Sequence, residues 1–413
     1  MMSIAEAKKS ALSFREFRLF LGMRLLGGVA VQMQSVAVGW QIYDITHRPL
    51  ALGLVGLAQF LPVFGLALVA GHVADQFDRR RILIGCFALQ LLCSAFLAAF
   101  AIMGERQVGP IYAVLVLFGV ARAFAQPAIQ SLLPNLVPRE YLGSAFAWSS
   151  SGNQSMTIAG PALGGFIYAL GAGVVYSASG LFFLLATLAA ICLRLRPAAL
   201  ERKALTWETL LAGIAFIRRR REILGAISLD LFAVLFGGAT ALLPIYARDI
   251  LEVGPIGLGL LRSGPAVGAV AVGLLLTHRS LGRGAGRTLF LGVAVFGIAT
   301  IVFGLSTDFL VSLVALVTLG AADMVSVFVR QNLVQRATPD AMRGRVNAVS
   351  FLFIGASNEL GEMESGLTAD WFGAVPAVLL GGLGSLVILA VWFWRFPELR
   401  AVDRLEEIQA QPS

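Results

Sequence analysis

Asp230 and Asp323 stand inside stretches of sequence that are otherwise almost wholly apolar, and Glu359 and Glu362 inside a more mixed stretch long enough to span. A carboxylate in such a stretch is costly unless it faces a cavity or a partner, and the chemistry open to it there is to take up and release a proton. Glu359 and Glu362, three residues apart, share a helix face, while Glu364 points elsewhere. Arginines at 24, 122, 262 and 330 interrupt other apolar runs. They offer the alternative of a structural ion pair, Asp230 or Asp323 with Arg24, Arg122 or Arg330, that locks the fold without exchanging protons. Arg24 and Arg330 stand nearer the ends of their runs, where a long side chain reaches polar surroundings. Little other chemistry is available. The histidines at 47, 72 and 278 lack metal-ligand spacing, and the lysines at 8, 9 and 203 lie outside any glycine-rich phosphate loop. No HExxH or GxSxG occurs, and Cys86, Cys93 and Cys192 form no CxxC. The expectation is therefore no metal, no cofactor and no catalysis.

The elements that must position these groups follow from composition. The chain has 413 residues, of which 58% are hydrophobic and 14% charged, which excludes an ordinary soluble protein. A bilayer core about 30 Å thick needs roughly 20 apolar residues per helical crossing. Such runs are expected as helices over 18–43, 50–71, 82–103, 110–133, 142–169, 173–194, 222–247, 254–277, 287–305, 309–332, 346–369 and 374–396. Of the 32 Lys and Arg, 25 fall in the two tails and the even-numbered connections or at the span edges that border them. Only Arg48, Arg106 and Arg248 fall in the odd-numbered ones, which puts both termini on the cytoplasmic side. No cleavable leader is expected, and the net charge of +8 calls for anionic lipid rather than nucleic acid as partner.

The longest hydrophilic stretch, 195–221, divides the runs six and six. This gives an expected layout of 1–194 as one helical bundle, 195–221 as a cytoplasmic central loop, 222–396 as a second bundle and 397–413 as a cytoplasmic tail. Residues 130–166 and 331–367 align with eight identities in 37 positions, among them Pro138/Pro339, Gly143/Gly344, Gly160/Gly361 and Gly165/Gly366. The halves read as parallel repeats, an arrangement in which substrate is held near the bilayer midplane between them. Small residues in "GPALG" (Gly160, Pro161, Gly164) and "GPAVG" (Gly264, Gly268) allow helices to approach closely.

The stretch "GHVADQFDRRR", residues 71–81, falls between the second and third runs. Gly71 permits a tight exit from the second helix, Asp75 can sit near a positive helix N-terminus, and Arg79 to Arg81 can neutralise it or anchor to lipid phosphate. With Gly71, Asp75, Arg80 and Arg81 in place, it resembles the signature of the major facilitator superfamily, although Gln76 and Asp78 depart from it. "GPALGG" (160–165) is similar to the fifth-helix signature of that superfamily's antiporters, with Met156 in place of an upstream glycine. "LDLFAVLFGGATALLP" (229–244), "RATPDAMRGRVNAV" (336–349) and "SNELGEMESG" (357–366) look like the bacterial exporter branch that includes the enterobactin exporter and macrolide efflux proteins. That branch often carries an acidic residue where Asp78 stands.

The resemblance implies an all-α membrane protein of twelve transmembrane helices in two pseudo-symmetric six-helix bundles, in a bacterial inner membrane. It implies a cytoplasmic gate in which Asp75, with Arg79, Arg80 and Arg81, engages Arg343 and Arg345. Helices one, four, seven and ten would line a substrate cavity with Gln32, Gln34, Arg122, Gln126, Phe232, Phe236 and Phe328. "GPALG" and "GPAVG" would face one another as a rocking contact, or serve simple packing. The function expected is proton-coupled export of a small amphipathic molecule, a drug or siderophore, by a monomer working through alternating access. The alternatives are a lipid or lysolipid transporter, an uncoupled facilitator, or a non-transporting receptor or scaffold on the same fold. Partners are the substrate, protons and membrane lipid.

Overall fold

A computed structural model describes residues 10–194, 207–278 and 284–403. Among these there is no strand. The helices run α1 (Arg15–Thr46), α2 (Pro49–Gln76), α3 (Arg79–Ile102), α4 (Val108–Leu132), α5 (Leu142–Tyr168), α6 (Ala172–Cys192), α7 (Trp207–Arg219) and α8 (Arg221–Phe236). They continue with α9 (Leu243–Ile245), α10 (Gly254–His278), α11 (Ala285–Leu305), α12 (Phe309–Ala337), α13 (Asp340–Phe372), α14 (Ala374–Arg395) and α15 (Pro397–Arg400). Ten segments are long and apolar enough to cross a membrane: α1 to α4, α6, α8 with its continuation to Ile250, α10, α11, α12 and α14. Helices α5 and α13 are 27 and 33 residues long but carry more polar residues.

The chain forms two compact units. The first gathers α1 up to Gln41 and the chain from Ala58 through α6; the second gathers Ile42–Leu57 with α7 to α15. Helix α7 occupies part of the stretch read as a central loop. Its Gly213 lies against α13, where an added Cβ would be 2.9 Å from the Arg345 carbonyl oxygen and from Val349. Residues 195–206, and the tail beyond 403, lie outside the described residues.

Backbone contact at glycine sets the packing of both units. In the first, a Cβ on Gly164 of α5 would be 2.8 Å from Cα of Met33 on α1, and one on Gly160 would be 2.5 Å from Cβ of Gln32. In the second, Gly268 of α10 abuts the Val317 carbonyl on α12, and Gly320 of α12 abuts Pro265. Each small-residue face thus packs against a neighbour in its own unit. Helix seven of the sequence reading is also not one helix. Helix α8 stops at Gly237–Gly238, followed by a 3-10 turn at Ala239–Leu242, α9, and a π turn at Tyr246–Ile250. The cause is close approach to α13. A Cβ on Gly238 would be 2.6 Å from Oγ of Ser365, and one on Gly361 would be 2.8 Å from the Leu235 carbonyl oxygen.

The α2–α3 connection corrects two sequence readings. Gly71 lies within α2, which runs on to Gln76, so it makes no tight exit. The helix N-terminus is capped by Asp78, whose carboxylate accepts from the Arg80 amide at 2.9 Å. Arg79 donates to the Ser131 carbonyl at the end of α4 (3.2 Å). Arg80 donates to the Ala190 carbonyl (3.1 Å) and to that of Ile191 at the end of α6. Each guanidinium thus meets the negative end of a helix dipole inside its own unit. Arg81 is exposed, 3.8 Å from Asp78.

Two outcomes follow. Gly268→Ala should lower stability by about 1–3 kcal/mol, because even one methyl group meets a backbone carbonyl. Gly85→Ala on α3, where an added Cβ meets nothing within 4 Å, should leave the thermal unfolding midpoint in detergent unchanged or raised. Asp78→Ala should cost about 1 kcal/mol, whereas Asp78→Asn keeps the cap and most of that stability.

Candidate functional site

Three groups of polar side chains lie among the spanning helices, and each is built within one unit. The first is a cavity of about 230 Å³ in the first unit, walled by α1, α3, α4 and α5. Arg24, Gln32, Gln90, Arg122, Gln126 and Asn153 supply its polar lining, with Val31, Ala125, Ile129 and Met156 between them. Gln32, Arg122 and Gln126 are where the sequence reading placed them, and the spacing of four puts Arg122 and Gln126 one turn apart on α4. Gln34 is not there. Two residues beyond Gln32, it points roughly to the opposite side of α1, is buried, and accepts from Oγ of Ser94 on α3 at 2.9 Å. Gln41 is likewise buried and accepts from the Tyr176 hydroxyl at 2.6 Å. Arg24 does not snorkel: it donates to Oγ of Ser149 and, at 3.4 Å, to Oδ1 of Asn153, both on α5. Arg122 donates to Oε1 of Gln59 on α2 at 3.1 Å.

In the second unit, Nη2 of Arg330 on α12 is 3.1 Å from Oδ2 of Asp230 on α8, with side chains only 4% and 7% exposed. Asp323 shares with Asp230 and Ser326 a small cavity with room for about one water molecule. Asp323, Ser326 and Arg330 lie three and four residues apart, so they line one face of α12 and present it to α8. Arg330 is therefore no surface arginine; its Nε is buried and has no hydrogen-bond partner among the described residues. Phe232 and Phe236 do not join the polar cavity. Phe232 packs on Trp392 of α14 with ring centroids 5.4 Å apart, and Phe236 lies against Gly384 of the same helix. Phe328, two residues from Arg330, sits on another face of α12.

The third group gathers around Gly56 of α2. A Cβ there would be 2.7 Å from Oε2 of Glu362 and 3.2 Å from Oε2 of Glu359, so the two carboxylates converge as their spacing predicts. Arg262 of α10 lies within electrostatic reach of both. Nearby chain is fastened by two ion pairs, Asp44 with Arg248 and Arg48 with Asp370 (3.2 Å), and by a hydrogen bond from the Tyr43 hydroxyl to Asp249. Glu364 points elsewhere and accepts from Thr368 at 2.8 Å. The side chain of Asp75 lies outside the described residues. Of its expected partners, Arg345 contacts Sδ of Met342 at 3.4 Å in its own helix.

Sequence reasoning passed over Gln59, Gln90 and the role of Arg262. For Arg330 it offered both an ion pair with Asp230 or Asp323 and a place near the surface, and the ion pair with Asp230 is the one formed. For Gln59 and Gln90 nothing in the linear sequence sets them apart from other amides. Among the described residues no group of three His, Cys, Asp or Glu could hold a metal ion.

These arrangements can be set beside known proteins. The enterobactin exporter EntS of Escherichia coli O1:K1 is 26% identical over 387 residues, covering 90% of this chain and 86% of that protein. That of Citrobacter koseri is 27% identical with the same coverage. Among solved structures, the nucleoside transporter NupG superposes with a TM-score of 0.72 at 13% identity, over 92% of this chain and 99% of that one. A bacterial homologue of the human lysosomal transporter Spinster gives 0.73 at 14% identity, over 94% and 98%. At these identities the structures establish the fold alone, and the relatives are transporters rather than enzymes. Matched from residue 8 to residue 412 by the family described as transmembrane secretion effector, the chain belongs to that family of multi-pass membrane transporters within the major facilitator superfamily.

Proposed function

We propose that this chain is a proton-coupled exporter that moves a small amphipathic molecule, of the siderophore or drug type, by alternating access. In this reading it crosses the bacterial inner membrane twelve times in two six-helix halves, with both termini cytoplasmic, and acts as a monomer. Helices α5 and α13 complete the twelve. Both exceed the roughly 20 residues a crossing needs. Their polar side chains have interior uses: Ser149 and Asn153 hold Arg24, and Glu359 and Glu362 face Arg262. The outward direction is supported by the relatives, which are named as enterobactin exporters.

The observation that carries proton coupling is the cluster of Asp230, Asp323 and Arg330. Two carboxylates stand against one guanidinium in a water-sized cavity. Arg330 balances one of them, and the ion that balances the other in so small a space is a proton. Loading that proton from outside and releasing it inside would drive substrate the other way. Glu359 and Glu362, two carboxylates facing Arg262, serve as a second station or gate. In such a cycle the Asp44–Arg248 and Arg48–Asp370 pairs, which fasten residues 42–57 into the second unit, are contacts that exchange. Asp75 with Arg343 stays within this proposal as a cytoplasmic latch, whereas Arg79 and Arg80 are assigned to helix ends.

The test is proton release from acidified inside-out vesicles on addition of siderophores, macrolides, cationic dyes or lysolipids. One class should dequench the pH dye, and Asp323→Asn should reduce that response at least ten-fold. Asp230→Asn should do the same, since it hands Arg330 to Asp323 and leaves no carboxylate for the proton. Silence across a panel shown separately to bind would sink the coupling and favour an uncoupled carrier.

Stability separates the members of the cluster. Arg330→Gln strands a buried carboxylate and should cost about 3–5 kcal/mol. The double variant Arg330→Gln/Asp230→Asn, which removes both charges of the pair, should recover most of the lost unfolding midpoint.

A further inference from the structure

The first unit's cavity has a charge imbalance of the opposite sign. It is lined by two guanidiniums, Arg24 and Arg122, and, among the described residues, by no Asp or Glu. Their hydrogen bonds go to neutral acceptors, Ser149 and Asn153 for Arg24 and Gln59 for Arg122. Among the described residues neither is ion-paired. A guanidinium has five N–H donors, so each keeps donors uncommitted after these bonds. Positive charge held within spanning helices is expensive, and amides orient it without neutralising it. A third group is also unsatisfied. Gln90 on α3 is 3% exposed, lines the same cavity, and its Oε1 has no hydrogen-bond partner among the described residues. That oxygen asks for a donor beside the anion.

We infer that this cavity binds an organic oxyanion that carries a neighbouring hydroxyl or amide donor: the oxyanion on Arg24 and Arg122, the donor on Gln90. The inference rests on the exporter reading and deepens it, since it makes the exported molecule acidic. Gln32, Gln126 and Asn153 would orient its polar edge, and Val31, Ile129 and Met156 would cover its apolar face. The first unit would then hold the substrate's negative charge and the second the proton. The same oxyanion chemistry is available from a lipid headgroup, and the experiment distinguishes the two sources.

The full-length protein in phosphatidylcholine nanodiscs is titrated calorimetrically at neutral pH with salicylate, benzoate and 2-naphthoate, and with the corresponding amides. The acids should bind at least ten-fold more tightly than their amides, with salicylate the tightest because it alone brings the hydroxyl. Arg122→Gln should remove that preference, while Arg122→Lys should retain part of it. Equal affinity of acid and amide across the series, including no binding by either, overturns the inference. Repeating the titration with phosphatidylglycerol in the disc assigns the source. A preference that survives belongs to the transported molecule, and one that is abolished shows the oxyanion site occupied by lipid. Because binding needs no proton gradient, an acid preference that persists without proton release in vesicles would defeat the exporter reading alone. Proton release without an acid preference would defeat only this inference.

Discussion

A charge within the hydrocarbon layer must be matched by another charge, a proton or a ligand, and that constraint organises the polar chemistry of this transporter. The two units meet it differently. In the second, Asp230 and Asp323 stand together against Arg330, while Glu359 and Glu362 face Arg262. In the first, Arg24 and Arg122 face a cavity that has no carboxylate among the described residues. The pairs that close internally hold helices together, and the charges left over are those that the proposed cycle assigns to proton and substrate.

Placing those charges is the task of the backbone. Gly160 and Gly164 bring α5 against α1 closely enough that Asn153, a few turns away on α5, reaches Arg24 on α1. Gly268 and Gly320 do the same for α10 and α12, fixing the helix that carries Asp323 and Arg330. The break at Gly237–Gly238 ends α8 about two turns past Asp230, where Gly361 of α13 packs against the same place. Without that break α8 would continue into α13. Close approach and helix interruption are two aspects of one arrangement, in which backbone replaces side chain so that charged groups on neighbouring helices can meet.

Much of this was legible in the sequence. Apolar run length gave most of the helices to within a few residues, though neither α7 nor the break after α8, and isolated charges in those runs named Asp230, Asp323, Arg122 and the two glutamates, because the bilayer makes any interior charge conspicuous. Which neighbour each charge chose was less accessible. Arg330 looked able to reach the surface from its position in the run, and only the packing of α12 on α8 shows that it turns inward to Asp230. Gln32 and Gln34 looked equivalent as polar residues, yet a difference of two positions on a helix sends one to the cavity and the other to Ser94. The aromatic residues were hard to place for a related reason. Phe232 and Phe236 have no polar obligation, so nothing but the position of α14 decides that they pack there instead of lining a cavity. Asp78 shows the converse: a departure from a signature is explained once its carboxylate is seen to cap α3.

The division of charge between the units has an energetic consequence for transport. At a membrane potential of 100 mV, one elementary charge crossing is worth about 2.3 kcal/mol. A neutral substrate leaving in exchange for one entering proton draws on one such charge, enough for roughly a fifty-fold gradient, since about 1.4 kcal/mol is a factor of ten. A monoanion leaving in exchange for the same proton moves two charges in the favourable direction and draws on about 4.6 kcal/mol, a gradient of a few thousand-fold. An exporter whose substrate cavity is cationic and whose proton site is anionic therefore gains from the membrane potential twice in each cycle. In the proposed cycle, Arg24 and Arg122 of the first unit and the Asp230–Asp323 pair of the second supply complementary parts of that single charge balance.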